Sequence, residues 1–341
     1  MSVGQRVAFR VDESNLVGLG HMSRCRALAD ALVQAGAEVS FYCRCVSRAS
    51  RVALHRLGVS VFDLVDEQAF LAQEWRSSVV IVDGYQFDAD FWQGLLSAGA
   101  SRTVCIDDFR AIPYRADIVV CYNEGVNAEQ FDLAPHTRLF LGGRYLLLRP
   151  EILAAARLAE GPAPRRALMI AAGGTRQEPW VADMLAHLSR IDPGAPLWVL
   201  SGRRLSTGKV LHRAGLGRAQ VSFFSGLGAN DMIRRYRRAR CLLAPASTVM
   251  LEGFSAGCPL VTGWVAENQR NSLCYYDRQG LIINAGNLRQ LSLPALTKAI
   301  TKVSRQSKRM AFRQRSYIFK SKFGINEIVQ AILATAKRNS T

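Results

Sequence analysis

Four short stretches carry residue types that can do chemistry. In NLVGLGHMSRCRALADAL, residues 15–32, His21 stands where a glycine-rich turn meets a helix. Gly18 and Gly20 let the backbone turn sharply and approach a ligand. The helix beginning near His21 presents unpaired N–H groups and a positive dipole end, suited to an anion or a leaving oxygen. G-L-G-H is not the dinucleotide fingerprint, because no third glycine follows and no acidic residue closes the next strand, so no dinucleotide cofactor is expected. In SVVIVDGYQFD an apolar run ends at Asp83 with Tyr85 two residues on, and in TVCIDDF another ends on Asp107 and Asp108. Carboxylates along the same rim as His21 can orient an imidazole or raise its pKa. The plainer alternatives are a solvated histidine in a first helical turn and aspartates that cap the following helices.

The second half offers LMIAAGGT, where amides around Gly173, Gly174 and Thr175 can meet a phosphate. In LLAPASTVMLEGFSAGCPLV, Ser247 and Thr248 suit an N-cap whose amides hold diphosphate oxygens. Glu252, one turn into that helix, can accept ribose hydroxyls; an ordinary capped helix with an acid near its dipole is the alternative. GWVAENQRNS brings Glu267, Asn268 and Gln269 after a strand. Amides suit sugar hydroxyls because they both donate and accept, although alone the tripeptide could be a polar turn.

These loops need strands to hold them. VAFRV, EVSFYCRCV, SVVIVDG, TVCIDDF and DIVVCYN alternate with helical runs such as CRALADALVQAG, RVALHRLG and FWQGLLSAG, a βαβ rhythm of strands buried on both faces. RPEILAAARLAEGPAPRR breaks it with three prolines, and a second α/β series follows from RALMIAAGG to PLVTGW. At 341 residues the chain is long enough for two cores. The expected organisation is an N-terminal domain over 1–150, a linker over 151–166, and a C-terminal domain over 167–341 ending in helices from Leu293. Ligands of open parallel sheets bind beyond the carboxyl ends of the strands, so two doubly wound Rossmann-like α/β domains facing across a cleft are expected to hold the site between them.

No apolar run approaches the ~18 residues of a membrane span, and Arg6, Arg10 and Asp12 interrupt the start where a signal peptide would be apolar. A cytoplasmic protein is expected. The eight cysteines are dispersed, without C-x-x-C, so reduced thiols and no metal site are expected, with Cys43 and Cys45 as core residues on one strand face. The formal charge of +17 favours an anionic partner: a nucleotide, a nucleic acid or an acidic membrane surface. No nucleic-acid module is recognisable, and runs such as Arg234, Arg235, Arg237 and Arg238, or Lys298, Lys302, Arg305 and Arg309, usually read as solvated helix faces. Peripheral contact with an anionic membrane is the remaining macromolecular expectation.

Taken in order, VGLGHMSRCRALA, VDGYQFD, IDDF, RYLLLRPE, AAGGT, APASTVMLEGFSAGCPLV and AENQ resemble the UDP-2,4-diacetamido-2,4,6-trideoxy-β-L-altropyranose hydrolases of pseudaminic acid biosynthesis, through nearly the whole chain. The resemblance implies the two-domain fold of B-type glycosyltransferases and hydrolysis of a UDP-linked sugar: water displaces UDP at the anomeric carbon with inversion, without metal or cofactor. It makes His21 the candidate base or water-orienting group, places Tyr85 and Asn268 along the sugar, and gives UDP to Ser247, Thr248 and Glu252. Gly18, Gly20, Arg24, Asp83, Gly173, Gly174, Thr175, Glu267 and Gln269 complete the expected substrate contacts. The closest rival is a UDP-sugar-dependent glycosyltransferase of the same fold. A non-catalytic anion or nucleic-acid binder is the rival of another class.

Overall fold

Short apolar runs bounded by turn residues become the strands of two parallel sheets, most of them joined by helical crossovers, the last three strands of the first sheet being joined by short segments without an α-helix among the described residues. The computed structural model describes residues 4–13, 19–108, 112–158, 164–173, 178–202, 204–321 and 324–334. The first sheet comprises β1 (Arg6–Val11), β2 (Glu38–Cys43), β3 (Ser60–Asp63), β4 (Ser78–Asp83) and β5 (Arg102–Ile106), then β7 (Ile118–Cys121) and β9 (Arg138–Leu141). Their order is β3-β2-β1-β4-β5-β7-β9, while the two-residue strands β6 (Pro113–Tyr114) and β8 (Asp132–Leu133) pair with each other. The second sheet comprises β10 (Ala167–Ala171), β11 (Leu197–Ser201), β12 (Val221–Ser225), β13 (Ala239–Pro245), β14 (Leu260–Trp264) and β15 (Ile283–Asn287), ordered β12-β11-β10-β13-β14-β15.

All pairings in both sheets are parallel. In each sheet the chain winds outward on one side and then returns to build the other, so β1 and β4, and likewise β10 and β13, flank a point where the strand order reverses. Loops at the carboxyl ends of such a pair are where open α/β sheets bind ligands. Every residue of β4 is buried, and its last residue, Asp83, is in register with Val11 at the end of β1. The aromatic side chains of Phe70, Trp75, Phe87, Phe91 and Trp92 fill the core on one side of this first sheet.

The structure departs from the sequence reading at particular places. β3, β9 and β15 are edge strands with exposed or half-buried residues, so their apolar signal is weak. The expected linker begins as a helix, Pro150–Leu158, with Pro150 at its first position, where the missing N–H costs nothing, and with Ile152 and Ala155 buried. The tail divides too. The 29-residue helix Leu293–Ser321 belongs almost entirely with the second unit, whereas Gly324–Leu333 groups with the first. There Glu327 accepts from Arg144 and Tyr145, and Arg102 donates to the main-chain oxygens of Ala331, Ile332 and Ala334 at 2.6, 2.9 and 2.7 Å, satisfying carbonyls that a helix end leaves open. Cys43 is buried at the end of β2, but the strand stops there and Cys45 is exposed; all eight thiols are free.

Candidate active site

The helix Gly20–Gln34 buries His21, Arg24, Cys25, Leu28 and Leu32, a stripe at three- and four-residue spacing. Its last two turns are apolar and pack as core. Its first turn is polar, and the same periodicity that buries Leu28 sets His21 and Arg24 one above the other against the end of β4.

Asp83 receives them there, 1% exposed. Its Oδ1 lies 2.5 Å from His21 Nδ1 and accepts from Arg24 Nη2 at 2.5 Å; its Oδ2 accepts from Arg24 Nε at 2.6 Å and from the Cys25 thiol at 3.3 Å. Burial alone would push this carboxyl up, but Arg24 and then His21 outweigh it and hold Asp83 well below the usual carboxylate range. Arg24 is driven the other way: burial opposes its charge, Asp83 more than restores it, and its Nη1 donates to Tyr122 Oη at 3.3 Å. Burial, reinforced by Asp83, raises the Cys25 thiol, which stays a protonated donor.

These partners fix the imidazole's tautomer. An ionised carboxylate only accepts, so the 2.5 Å contact to Asp83 calls for a proton on His21 Nδ1, and the longer 3.3 Å approach of Arg24 Nη2 to that nitrogen is then no hydrogen bond. Nε2 of the neutral ring is then the acceptor. Edge-on to the ring, at 4.8 Å between centroids and 89°, stands Tyr85, whose hydroxyl donates to Asp108 Oδ2 at 2.6 Å. Burial and then Asp108 raise the Tyr85 phenol, so it remains a donor. Asn123 Nδ2 in turn donates to the main-chain oxygen of Asp108 at 2.8 Å.

The structure thus brings His21, Arg24, Asp83 and Tyr85 together. Arg24 and Asp83, expected to touch substrate, are buried and bonded to each other, with Asp83 also against His21. Asp83 does not cap the next helix; Asp88 does, accepting from Phe91 N at 2.9 Å. Tyr122, Asn123 and Cys25 escaped the sequence reading, although Tyr122 and Asn123 directly follow β7 and the carboxyl-end rule would have flagged them.

In the second unit, Gly173 follows β10 with φ +71°, a conformation costly for other residues; Gly174 and Thr175, like Gly18 in the first stretch, lie outside the described residues. After β13, Ala246 N donates to Gly263 O at 2.9 Å and fixes the turn into the helix Thr248–Ser255. Ser247 is its extended N-cap, and its side chain makes no capping bond, so the cap side chain does not occupy the first amides. Gly253 lets the helix lie close on the sheet: a Cβ there would sit 3.1 Å from Leu242 and 3.2 Å from Leu260.

Glu252, 4% exposed, is held by Arg149, whose Nε and Nη2 donate to its Oε1 at 2.9 and 2.6 Å. Burial lowers the Arg149 guanidinium's pKa and Glu252 more than reverses this. The sequence reading missed Arg149; its signal is a lone cation closing the apolar run LLL before Pro150. The third expected cluster is a turn. Gln269 Oε1 accepts from Val265 N at 2.9 Å and Ala266 N at 3.4 Å, and Glu267 pairs with Arg270 at 3.1 Å, leaving Asn268 as the exposed polar residue of the three that neither closes the turn nor forms that ion pair.

No family model matches the chain, and no curated protein matches its sequence. Solved structures do match. MurG of Acinetobacter baumannii is 12% identical, with 96% of this chain and 99% of that one covered and a TM-score of 0.61. A glycosyltransferase from Rickettsia africae is 11% identical, with 98% and 100% covered and a TM-score of 0.64. TcCGT1, solved in complex with UDP, is 12% identical, with 96% and 99% covered and a TM-score of 0.63. With the sheet orders above, these likenesses establish the fold as two parallel-sheet α/β domains resembling those of B-type glycosyltransferases.

Proposed function

We propose that the chain breaks the anomeric C–O bond of a UDP-linked sugar, with His21 as the base toward the incoming oxygen. The observation that carries this reading is the pinned imidazole: Nδ1–H on an ionised Asp83 leaves the Nε2 lone pair as acceptor. UDP is a good leaving group, so the enzyme's work is to offset diphosphate charge and to aim an oxygen. The first task falls to amides at the start of the helix Thr248–Ser255, with Glu252, oriented by Arg149, directed to the ribose. UDP bound to TcCGT1, a chain of like fold, supports that choice of nucleotide.

In the reading that the ordered motifs support, the incoming oxygen belongs to water and the sugar is a 2,4-diacetamido-2,4,6-trideoxy hexose. The water oxygen bonds to C1 as the C1–O bond breaks. The bonding pair leaves on the β-phosphate of UDP, and the water's proton passes to Nε2 of His21. Tyr85 and Asn268 line the sugar. A second reading replaces water by an acceptor hydroxyl with the same base, and the glycosyltransferases among the solved structures favour it.

Incubation with a panel of UDP-2,4-diacetamido sugars, followed by NMR for UDP release and for the anomer formed, separates the two. Release without any acceptor is the hydrolase result, and release only with an acceptor is the transferase result. A protein that neither binds nor turns over UDP-sugars would sink both.

A further inference from the structure

The helix Leu293–Ser321 carries eight lysines and arginines and not one aspartate or glutamate. Its inner face, with Leu296, Ala299, Ile300, Val303 and Met310, is buried in the second unit. On the outer side Lys298, Lys302, Arg305, Lys308, Arg309 and Lys320 are exposed. Among these charges Phe312 is 73% exposed and Phe319 65%. Arg305, Phe312 and Phe319 are spaced by sevens, so they fall on nearly one line, offset by only ~20° per step, with the two rings ~10 Å apart along the axis.

A single exposed apolar residue is ordinary. Two aligned phenylalanines amid positive charge, on a helix without an acidic residue of its own, are the composition of a helix that lies in a lipid interface. A convex helix surface offers no groove to track a polynucleotide backbone, whereas a headgroup plane needs only a matching charge and a place to sink apolar rings. None of the described helices is long and apolar enough to cross a membrane.

We infer that the outer face of Leu293–Ser321 docks the protein on an anionic phospholipid surface, with Phe312 and Phe319 inserted among the headgroups. The inference is independent of the chemistry proposed for His21.

The test is sedimentation of the full chain with vesicles of phosphatidylcholine containing phosphatidylglycerol and with phosphatidylcholine alone. The protein co-sediments with the anionic vesicles only, and less as salt is added. The double variant Phe312→Ser/Phe319→Ser lowers partitioning about tenfold. Lys302→Gln/Arg309→Gln lowers it about 25-fold, since each charge near such a surface contributes about fivefold. Circular dichroism confirms that the variants fold, and the comparison of vesicle types uses the unaltered chain. Absence of co-sedimentation, equal partitioning to neutral vesicles, indifference to the phenylalanine substitutions, or preference for polynucleotide over anionic vesicles would each overturn the inference.

Discussion

The two units place their polar residues at the same topological point and equip it differently. In the first, between β1 and β4, a buried aspartate is gripped by Arg24 and also by His21. In the second, the helix following β13 carries a buried glutamate gripped by an arginine, Arg149. A carboxylate bonded to a guanidinium is a fixed charge pair. Adding an imidazole to such a pair gives it a ring nitrogen that can accept a proton. One fold used twice thus carries a buried carboxylate–arginine pair in each unit, and in the first an imidazole from a helix's first turn joins it.

The comparison breaks most completely at His21. His21→Asn removes the proton acceptor while keeping a polar side chain. Turnover of the UDP-sugar is expected to fall ~10²- to 10⁴-fold, with UDP affinity by calorimetry unchanged. Near-normal turnover would return His21 to the role of a helix residue.

Next in size is Asp83→Asn, which strands the buried Arg24 charge and costs about 3–5 kcal/mol in denaturant unfolding. The same carboxylate marks the pH profile. Its native pKa is depressed, so its stabilisation is complete above the unfolded value of ~3.9 and is lost as pH falls below that toward the native value. The variant should therefore show a shallower acid limb than the parent, and an unaltered limb would mean that Asp83 is not the group held ionised.

In the second unit Glu252→Gln weakens the paired bonds from Arg149 and costs about 2 kcal/mol of stability. Glu252→Ala weakens UDP and UDP-sugar binding together, because the ribose belongs to both. Unchanged affinity would leave Glu252 purely structural. The smallest effect is chemical: exposed Cys45 and Cys274 take up a thiol reagent in the native protein. Burial pushes Cys43, Cys121, Cys241 and Cys258 up to about 12, so they react only after unfolding. Rapid labelling of those four would contradict their placement.

Much of this was legible in residue order. The buried central strands announce themselves as continuous apolar runs, and the ends of those runs deliver Asp83 and the Ser247 turn. The edge strands β3 and β15 and the helix Pro150–Leu158 did not, because half-exposed residues and prolines blur the periodicity on which such reading depends. Pairings were less visible still. Nothing in local sequence says that Arg24 turns onto Asp83, 59 positions away, or that Arg149 crosses 103 positions to Glu252. Both arginines fill demands set by a buried carboxylate, and that demand exists only once the sheets have formed.

The central claim is that an oxygen activated by His21 attacks carbon and not phosphorus, and isotope tracing tests it most directly. With a UDP-2,4-diacetamido sugar turned over in ¹⁸O-labelled water, the hydrolase account predicts label on the anomeric oxygen of the released sugar, initially with inverted configuration, and unlabelled UDP. Label in the diphosphate would mean P–O cleavage and would contradict the role given to the His21–Asp83 pair.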